Sequence, residues 1–301
     1  MKRIFHAIGD AMINGVARLP MGALYVLADV TFFLLYHVIR YRRTVAEKNI
    51  RESFPEYDAK QVKEVNRQFY HNFSDYVFET LKLAHISDEE MLRRFEFEGL
   101  EHIDSAVDAG KSVVVYFSHC FNWEWAPSVI LHSRHKDDEN VVFAQVYRPL
   151  KSEWFDSVML RLRGRFGAQS YKKKTVLRDL LMLNRSGKKW VVGFMSDQKP
   201  SHGDPTHIVK FLNHPTAMIT GTATVANRLK TAVVYWDMMK DSRGKYKIVV
   251  RKIAEDASKM EQTEITDTYV KYLQETITRQ PEIWLWTHKR WKIPVTMPEE
   301  K

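Results

Sequence analysis

Ser112-Val113-Val114-Val115-Tyr116-Phe117-Ser118-His119-Cys120-Phe121-Asn122-Trp123-Glu124-Trp125 changes character halfway along. Its first half is β-branched and aromatic and follows the turn signal Ala109-Gly110-Lys111, which predicts a buried strand. Apolar character stops at Ser118-His119, and Asn122 is placed to cap a helix from Trp123 to about Leu131. Open α/β sheets bind ligands just outside the carboxyl ends of their strands, so His119 is expected at such a rim. Glu124, five positions on, falls in the first helical turn, where it can reach back to the imidazole.

A carboxylate that holds one imidazole nitrogen fixes the tautomer and leaves the other nitrogen free to take a proton from a hydroxyl. Spacing alone selects little. Of twelve histidines, three are followed at the fifth position by an acid: His85/Glu90, His119/Glu124 and His132/Asp137. The first lies in a polar acidic loop and the third at a helix end running into a charged loop. Only His119 follows a buried strand.

Working outward, Val141 to Val146 reads as a second buried strand ending at Tyr147-Arg148-Pro149, and Trp190 to Met195 as a third ending at Ser196-Asp197-Gln198. Three strands thus deliver His119, Arg148 and Asp197-Gln198 at their carboxyl ends, and convergence on one sheet edge makes a single site. Helical patterns alternate with these strands. Asp58 caps a long amphipathic run from Ala59 to Leu83, and Pro215 is expected to open a helix through Leu229. Thr231–Trp236 and Tyr246–Val250 read as paired strands about the turn Asp241 to Gly244. The expectation is one α/β domain with a mostly parallel central sheet flanked by helices, preceded by an N-terminal apolar membrane-anchoring helix.

The 301 residues are 45% hydrophobic and 28% charged, enough for a full core, and the net charge of +9 suits an anionic partner. One cysteine, Cys120, excludes an intramolecular disulfide and a multi-cysteine metal site, and suits a reducing compartment. Ser201-His202-Gly203-Asp204 and His207 read as a polar loop, so no metal site is expected.

Leu19 to Ile39 is the one stretch long enough for a membrane; as a helix it measures roughly 30 Å, close to the hydrocarbon thickness. Asp29 near its centre costs about 2.5–3.5 kcal/mol on insertion, so spanning is marginal. Residues 2–18 are amphipathic and can lie in the interface. Arg40, Arg42 and Arg43 follow, which favours a cytoplasmic position for the rest of the chain. Residues 1–43 are accordingly read as a membrane-anchor region and 44–301 as the catalytic domain. The tail from Pro281 to Lys292 mixes Trp284, Trp286 and Trp291 with Lys289, Arg290 and Lys292; it suits nucleic-acid stacking, a membrane interface, or closure of the core.

Taken together, these features resemble the bacterial lipid A biosynthesis acyltransferases, the late secondary acyltransferases of the lysophospholipid-acyltransferase-like group. The shared features are the apolar N-terminal helix with its Arg-Arg pair, Asn49 to Pro55, His119 with Asn122-Trp123-Glu124, Tyr147-Arg148-Pro149-Leu150, Asp197-Gln198, Thr220 to Ala223, and Pro281 to Lys292. Cys120-Phe121 departs from the pattern, where a small residue or glycine often precedes Asn-Trp-Glu, and is expected to alter the pocket wall. The resemblance implies that His119 is the general base and Glu124 its orienting carboxylate. It implies substrate contacts from Arg148, Asp197, Gln198 and Asn122, with Arg148 serving an oxyanion or a phosphate. The donor would be a thioester on acyl carrier protein, or acyl-CoA. The acceptor would be a hydroxyl of an anionic lipid A precursor at the cytoplasmic side of the inner membrane, with the thioester as co-substrate, no cofactor, no covalent enzyme intermediate and no nucleic-acid partner. Three competing readings are transfer to another lipid acceptor, a Cys120 nucleophile, and a basic membrane- or nucleic-acid-binding protein without activity.

Overall fold

The computed structural model describes residues 2–297; Met1 and residues 298–301, which belong to the two predicted segments at either end, lie outside the described residues. Four helices come first: α1 (Lys2–Ala17), α2 (Met21–Phe33, continued by a π turn over Leu34–Val38), α3 (Arg43–Ser53) and α4 (Ala59–Lys82). A capping box starts α4: Gln61 N–H donates to Asp58 Oδ1 at 2.8 Å and Asp58 N–H to Gln61 Oε1 at 2.9 Å. Then follow α5 (Asp88–Arg94), β1 (Phe95–Glu98), α6 (Glu101–Asp108) and β2 (Val113–Phe117). A 3-10 helix over Trp123–Ser128 runs into α7 (Val129–His132). The α/β alternation continues with β3 (Val141–Tyr147), α8 (Glu153–Arg163), β4 (Gln169–Lys172), α9 (Val176–Arg185) and β5 (Lys189–Met195). The chain closes with a hairpin, β6 (Thr206–Phe211) and β7 (His214–Ile219), then α10 (Gly221–Leu229), β8 (Ala232–Ser242), β9 (Lys245–Ala254) and α11 (Gln262–Arg279).

The central sheet has seven strands in the order β1-β9-β8-β2-β5-β3-β4. From β8 to β4 the strands run parallel; β9 turns back antiparallel to β8, and β1 lies parallel to β9. The mixed α/β class with a mostly parallel sheet is as expected. β2 is buried along its whole length, as its unbroken apolar run requires of a strand covered on both faces.

Register is what positions the site. β2 pairs with β5 so that Phe117 faces Met195. Two residues beyond that pair in each strand stand His119 and Asp197, side by side. β3 lies on the other side of β5, with Gln145 opposite Gly193, which brings Arg148 to the same edge. A side chain on Gly193 would put its Cβ 2.8 Å from the Phe117 ring, so glycine there lets Phe117 lie across the neighbouring strand.

Two expectations are corrected. Pro215 does not open a helix; it lies in β7, opposite Lys210. Leu212 and Asn213 adopt left-handed conformations (φ 47° and 65°) and close a tight hairpin, and a two-stranded ribbon tolerates a strand residue without an N–H. The segment after Asn122 winds first as 3-10 rather than α-helix, with Pro127 inside it unable to donate a backbone hydrogen bond. The short, polar α5 and β4 carry too little periodic signal to be anticipated.

The Trp-rich tail closes the core. Trp284, Trp286 and Arg290 are 2%, 0% and 3% exposed. At the other end α2 packs on α4, tied by Asp29 and Tyr25. Arg243, in the β8–β9 turn, donates to Asp29 Oδ1 at 2.6 Å and to the fully buried Asp75 Oδ1 at 2.6 Å, while Tyr25 OH donates to Glu79 at 3.1 Å. Met21–Val38 is long and apolar enough to cross a membrane by length and composition.

Candidate active site

His119 leaves β2 where the sheet edge opens, and its ring is held from below. Nδ1 lies 2.8 Å from Asp197 Oδ1, and the His119 backbone N–H donates to Asp197 Oδ2 at 3.0 Å. Trp284 Nε1–H completes the clamp on Oδ2 at 2.9 Å. Burial alone would raise the Asp197 carboxyl, but the imidazole beside it and these hydrogen bonds outweigh that and hold it at about 2. A carboxylate on Nδ1 selects the tautomer with its proton there and leaves Nε2 as the acceptor. The Trp123 indole packs edge-on against the imidazole at 5.1 Å between centroids.

Glu124 does not hold His119, which corrects the expected orienting role. Its carboxylate is taken by Arg163 at the end of α8, with Nε to Oε2 at 2.8 Å and Nη2 to Oε1 at 2.7 Å, and it also accepts Trp123 Nε1–H at 3.0 Å. The reason is geometric. The β2–β5 register already places a carboxylate on Nδ1, and the 3-10 turn carries Glu124 toward α8. Both residues line one pocket, on different partners.

The other expected residues divide. Arg148 and Gln198 line the pocket. Arg148 makes no ion pair with Asp197; its Nη1 lies 3.5 Å from Ser201 Oγ. Asp197 is 1% exposed beneath the histidine, so it supports the site rather than contacting substrate directly. Asn122 is wholly buried and is likewise corrected: its Oδ1 caps the Glu124 N–H at 3.1 Å and its amide donates to Glu79 Oε2 at 3.1 Å. Glu79, fully buried, also accepts Tyr246 OH at 2.8 Å; burial pushes its carboxyl up from the ordinary value.

Cys120 and Phe121 stay out of the pocket wall, contrary to expectation. The Cys120 thiol is fully buried and accepts from Ser118 Oγ at 3.2 Å; burial pushes it far above the ordinary thiol range, opposite to what a nucleophile needs. Phe121 stacks among Phe69, Tyr76 and Trp123, making the aromatic seam between the loop after β2 and α4.

The pocket measures about 560 Å³. Its walls combine apolar side chains, among them Phe117, Phe194, Leu177 and Val225, with five cations (Arg148, Arg163, Lys173, Lys174, Lys199) against two carboxylates, Glu124 and Asp204. Asp204 is itself engaged by Lys173 at 2.6 Å. Such a lining suits a molecule with an apolar chain and an anionic head. The sequence reading singles out neither Arg163 nor Glu79, and it places Trp284 only in the tail, not on Asp197. Arg163 had a readable signal: it follows Met159 by four residues, a cation on the buried face of α8.

A histidine at a strand end, gripped by a buried carboxylate and opening on an amphipathic cationic pocket, is an arrangement suited to proton transfer beside a molecule with an apolar chain and an anionic head. Residues 2–293 match the bacterial lipid A biosynthesis acyltransferases, and the chain belongs to that family. A lipid A biosynthesis acyltransferase of Haemophilus influenzae (strain ATCC 51907 / DSM 11121 / KW20 / Rd) is 22% identical over 251 residues, 83% of this chain and 76% of its own. The protein is therefore an acyltransferase of lipid A biosynthesis.

Proposed function

We propose that the protein transfers a fatty acyl chain from a carrier-protein thioester, or acyl-CoA, to a hydroxyl of an anionic lipid A precursor, with His119 as general base. The observation that carries this is the double grip of Asp197 on His119. With Nδ1–H committed to Asp197, Nε2 takes the proton of the acceptor hydroxyl as its oxygen attacks the thioester carbonyl carbon. The new C–O bond gives a tetrahedral intermediate with a negative oxygen. Its collapse breaks the C–S bond, and the imidazolium returns its proton to the departing sulfur. Asp197 stabilises the imidazolium between those steps. Arg148, free of any carboxylate partner among the described residues, is the cation for the oxyanion or for an acceptor phosphate. Glu124 acts on the wall, keeping Arg163 charged and in place. Gln198 contributes a neutral contact to the same wall.

We further propose that the protein works at the cytoplasmic face of the inner membrane with α1 and α2 lying in the interface. Ile4, Ile8 and Met12 form an exposed stripe on α1, and Val26, Val30 and Phe33 one on α2. The opposite face of α2, Met21, Leu24 and Ala28, is buried, and Asp29 and Tyr25 on its flank tie the helix to α4 and the β8–β9 turn, so an α2 crossing the bilayer would draw those elements into it. Residues 1–43 then serve as the docking region of a catalytic domain over 44–301. Arg40 and its neighbours suit an anionic surface.

The test is to incubate membranes containing the protein with labelled acyl-carrier thioester and lipid A precursor, and to repeat with His119→Ala. Loss of acylated product is expected; equal turnover by the variant overturns the mechanism.

A further inference from the structure

Arg290 is 3% exposed, yet it has no carboxylate within ion-pair distance among the described residues. Its Nη2 donates to Ala217 O at 2.6 Å and to Met218 Sδ at 3.1 Å, and Nε has no partner. A buried guanidinium left to a carbonyl and a thioether is costly unless an anion completes it. Desolvation draws Arg290 down to about 10, the same imbalance seen from the proton's side.

Arg290 lines a second cavity of about 410 Å³, enclosed by the loop 199–204, the β6–β7 hairpin and the tail. This cavity shares Lys199, Ser201 and Asp204 with the active-site pocket, so the two adjoin. Asp204 cannot neutralise Arg290 freely, because it is already bound to Lys173 and accepts the Ser201 N–H at 2.8 Å. Lys199 is anchored by its backbone N–H to His288 Nε2 at 3.1 Å, leaving its ammonium as a second cation on the shared wall. Two cations and the Ser201 hydroxyl around a recess match a dianion with several acceptor oxygens better than a single carboxylate.

We propose that the Arg290 cavity is a phosphoryl-binding subsite holding the phosphate of a co-substrate beside the acyl-transfer pocket. The assignment to a co-substrate rests on the acyl-transfer reading; the phosphoryl site itself does not. Two sources share this chemistry: a phosphate on the glycolipid acceptor, and the phosphate of a pantetheine arm on the donor.

The experiment measures binding of inorganic phosphate to the full-length protein by phosphorus NMR at constant ionic strength, then binding of glucosamine 1-phosphate and 4′-phosphopantetheine. Saturable phosphate binding is expected, weakened about tenfold or more in Arg290→Gln and partly restored in Arg290→Lys. Should Arg290→Gln fail to fold, Ile293→Glu, at a position 60% exposed on the cavity lining, is expected to weaken phosphate comparably with the core intact. The ester that binds more tightly identifies the source. No saturable binding, or equal affinity in the wild type and the folded variants, overturns the proposal. Because this readout needs no turnover, its failure is separate from any failure of His119→Ala to abolish acyl transfer.

Discussion

Asp197 grips His119 at two points, one carboxylate oxygen on the ring Nδ1 at 2.8 Å and the other on the backbone N–H at 3.0 Å. The same side chain therefore sets the tautomer, the ring orientation and the path of the loop. Asp197→Asn keeps the shape but can present an amide N–H to Nδ1, favouring the wrong tautomer. Turnover is expected to fall about 10²–10⁴-fold with little change in KM, measured by acyl-transfer kinetics.

Glu124 and Arg163 form a bidentate pair in which Glu124 is buried and Arg163 is 20% exposed on the pocket. Arg163→Met leaves a buried carboxylate without a partner and should cost about 3–5 kcal/mol of stability, whereas Glu124→Gln leaves a cation that water can reach and should cost less. The double variant should cost clearly less than the sum of the singles. Urea unfolding of the four proteins checks this; additive losses would mean that the two side chains do not depend on each other.

His288 predicts an acid-sensitive step. Burial depresses it to about 4, and its Nε2 accepts the Lys199 N–H, a bond that only the unprotonated nitrogen can make. The unfolded chain, with an ordinary histidine near 6.5, binds the proton first. Stability from this group is thus complete above about pH 6.5 and is lost as pH falls toward 4. Calorimetric unfolding between those values should show the decline, and His288→Gln should flatten it.

The exposed stripe on α2 predicts how the protein meets lipid. Val26→Glu with Val30→Glu places two charges on the outward face and leaves the Asp29–Arg243 tie untouched. The protein should move from the membrane fraction to the high-speed supernatant and keep turnover on detergent-dispersed substrate. Retention in the membrane would count against interfacial docking through this face.

Local chemistry made much of the architecture legible. The apolar run of β2, the Asp58 cap of α4 and the Gly244 turn between β8 and β9 each carry their own signal within a few residues. So did the meeting of His119, Arg148 and Asp197, because parallel strands present their carboxyl ends along one edge. Pro215 misled because proline suits both a helix start and an edge strand, and the hairpin turn before it uses Leu212-Asn213 rather than glycine. The tail was ambiguous for a similar reason: tryptophans and cations suit a surface or a core, and only packing shows Trp284 beneath Asp197.

The sequence by itself determined that a histidine stands where a buried strand ends, with acids near it in space or along the chain. Only the tertiary structure decided which acid serves it. Glu124 is five residues away and turns to Arg163; Asp197 is 78 positions away and holds the ring. Separation along the chain limits reach, but strand register sets position, and the pairing of Phe117 with Met195 puts Asp197 beside His119. In the same way the tail names Arg290 as a cation, and only the folded chain shows it buried with no carboxylate partner among the described residues.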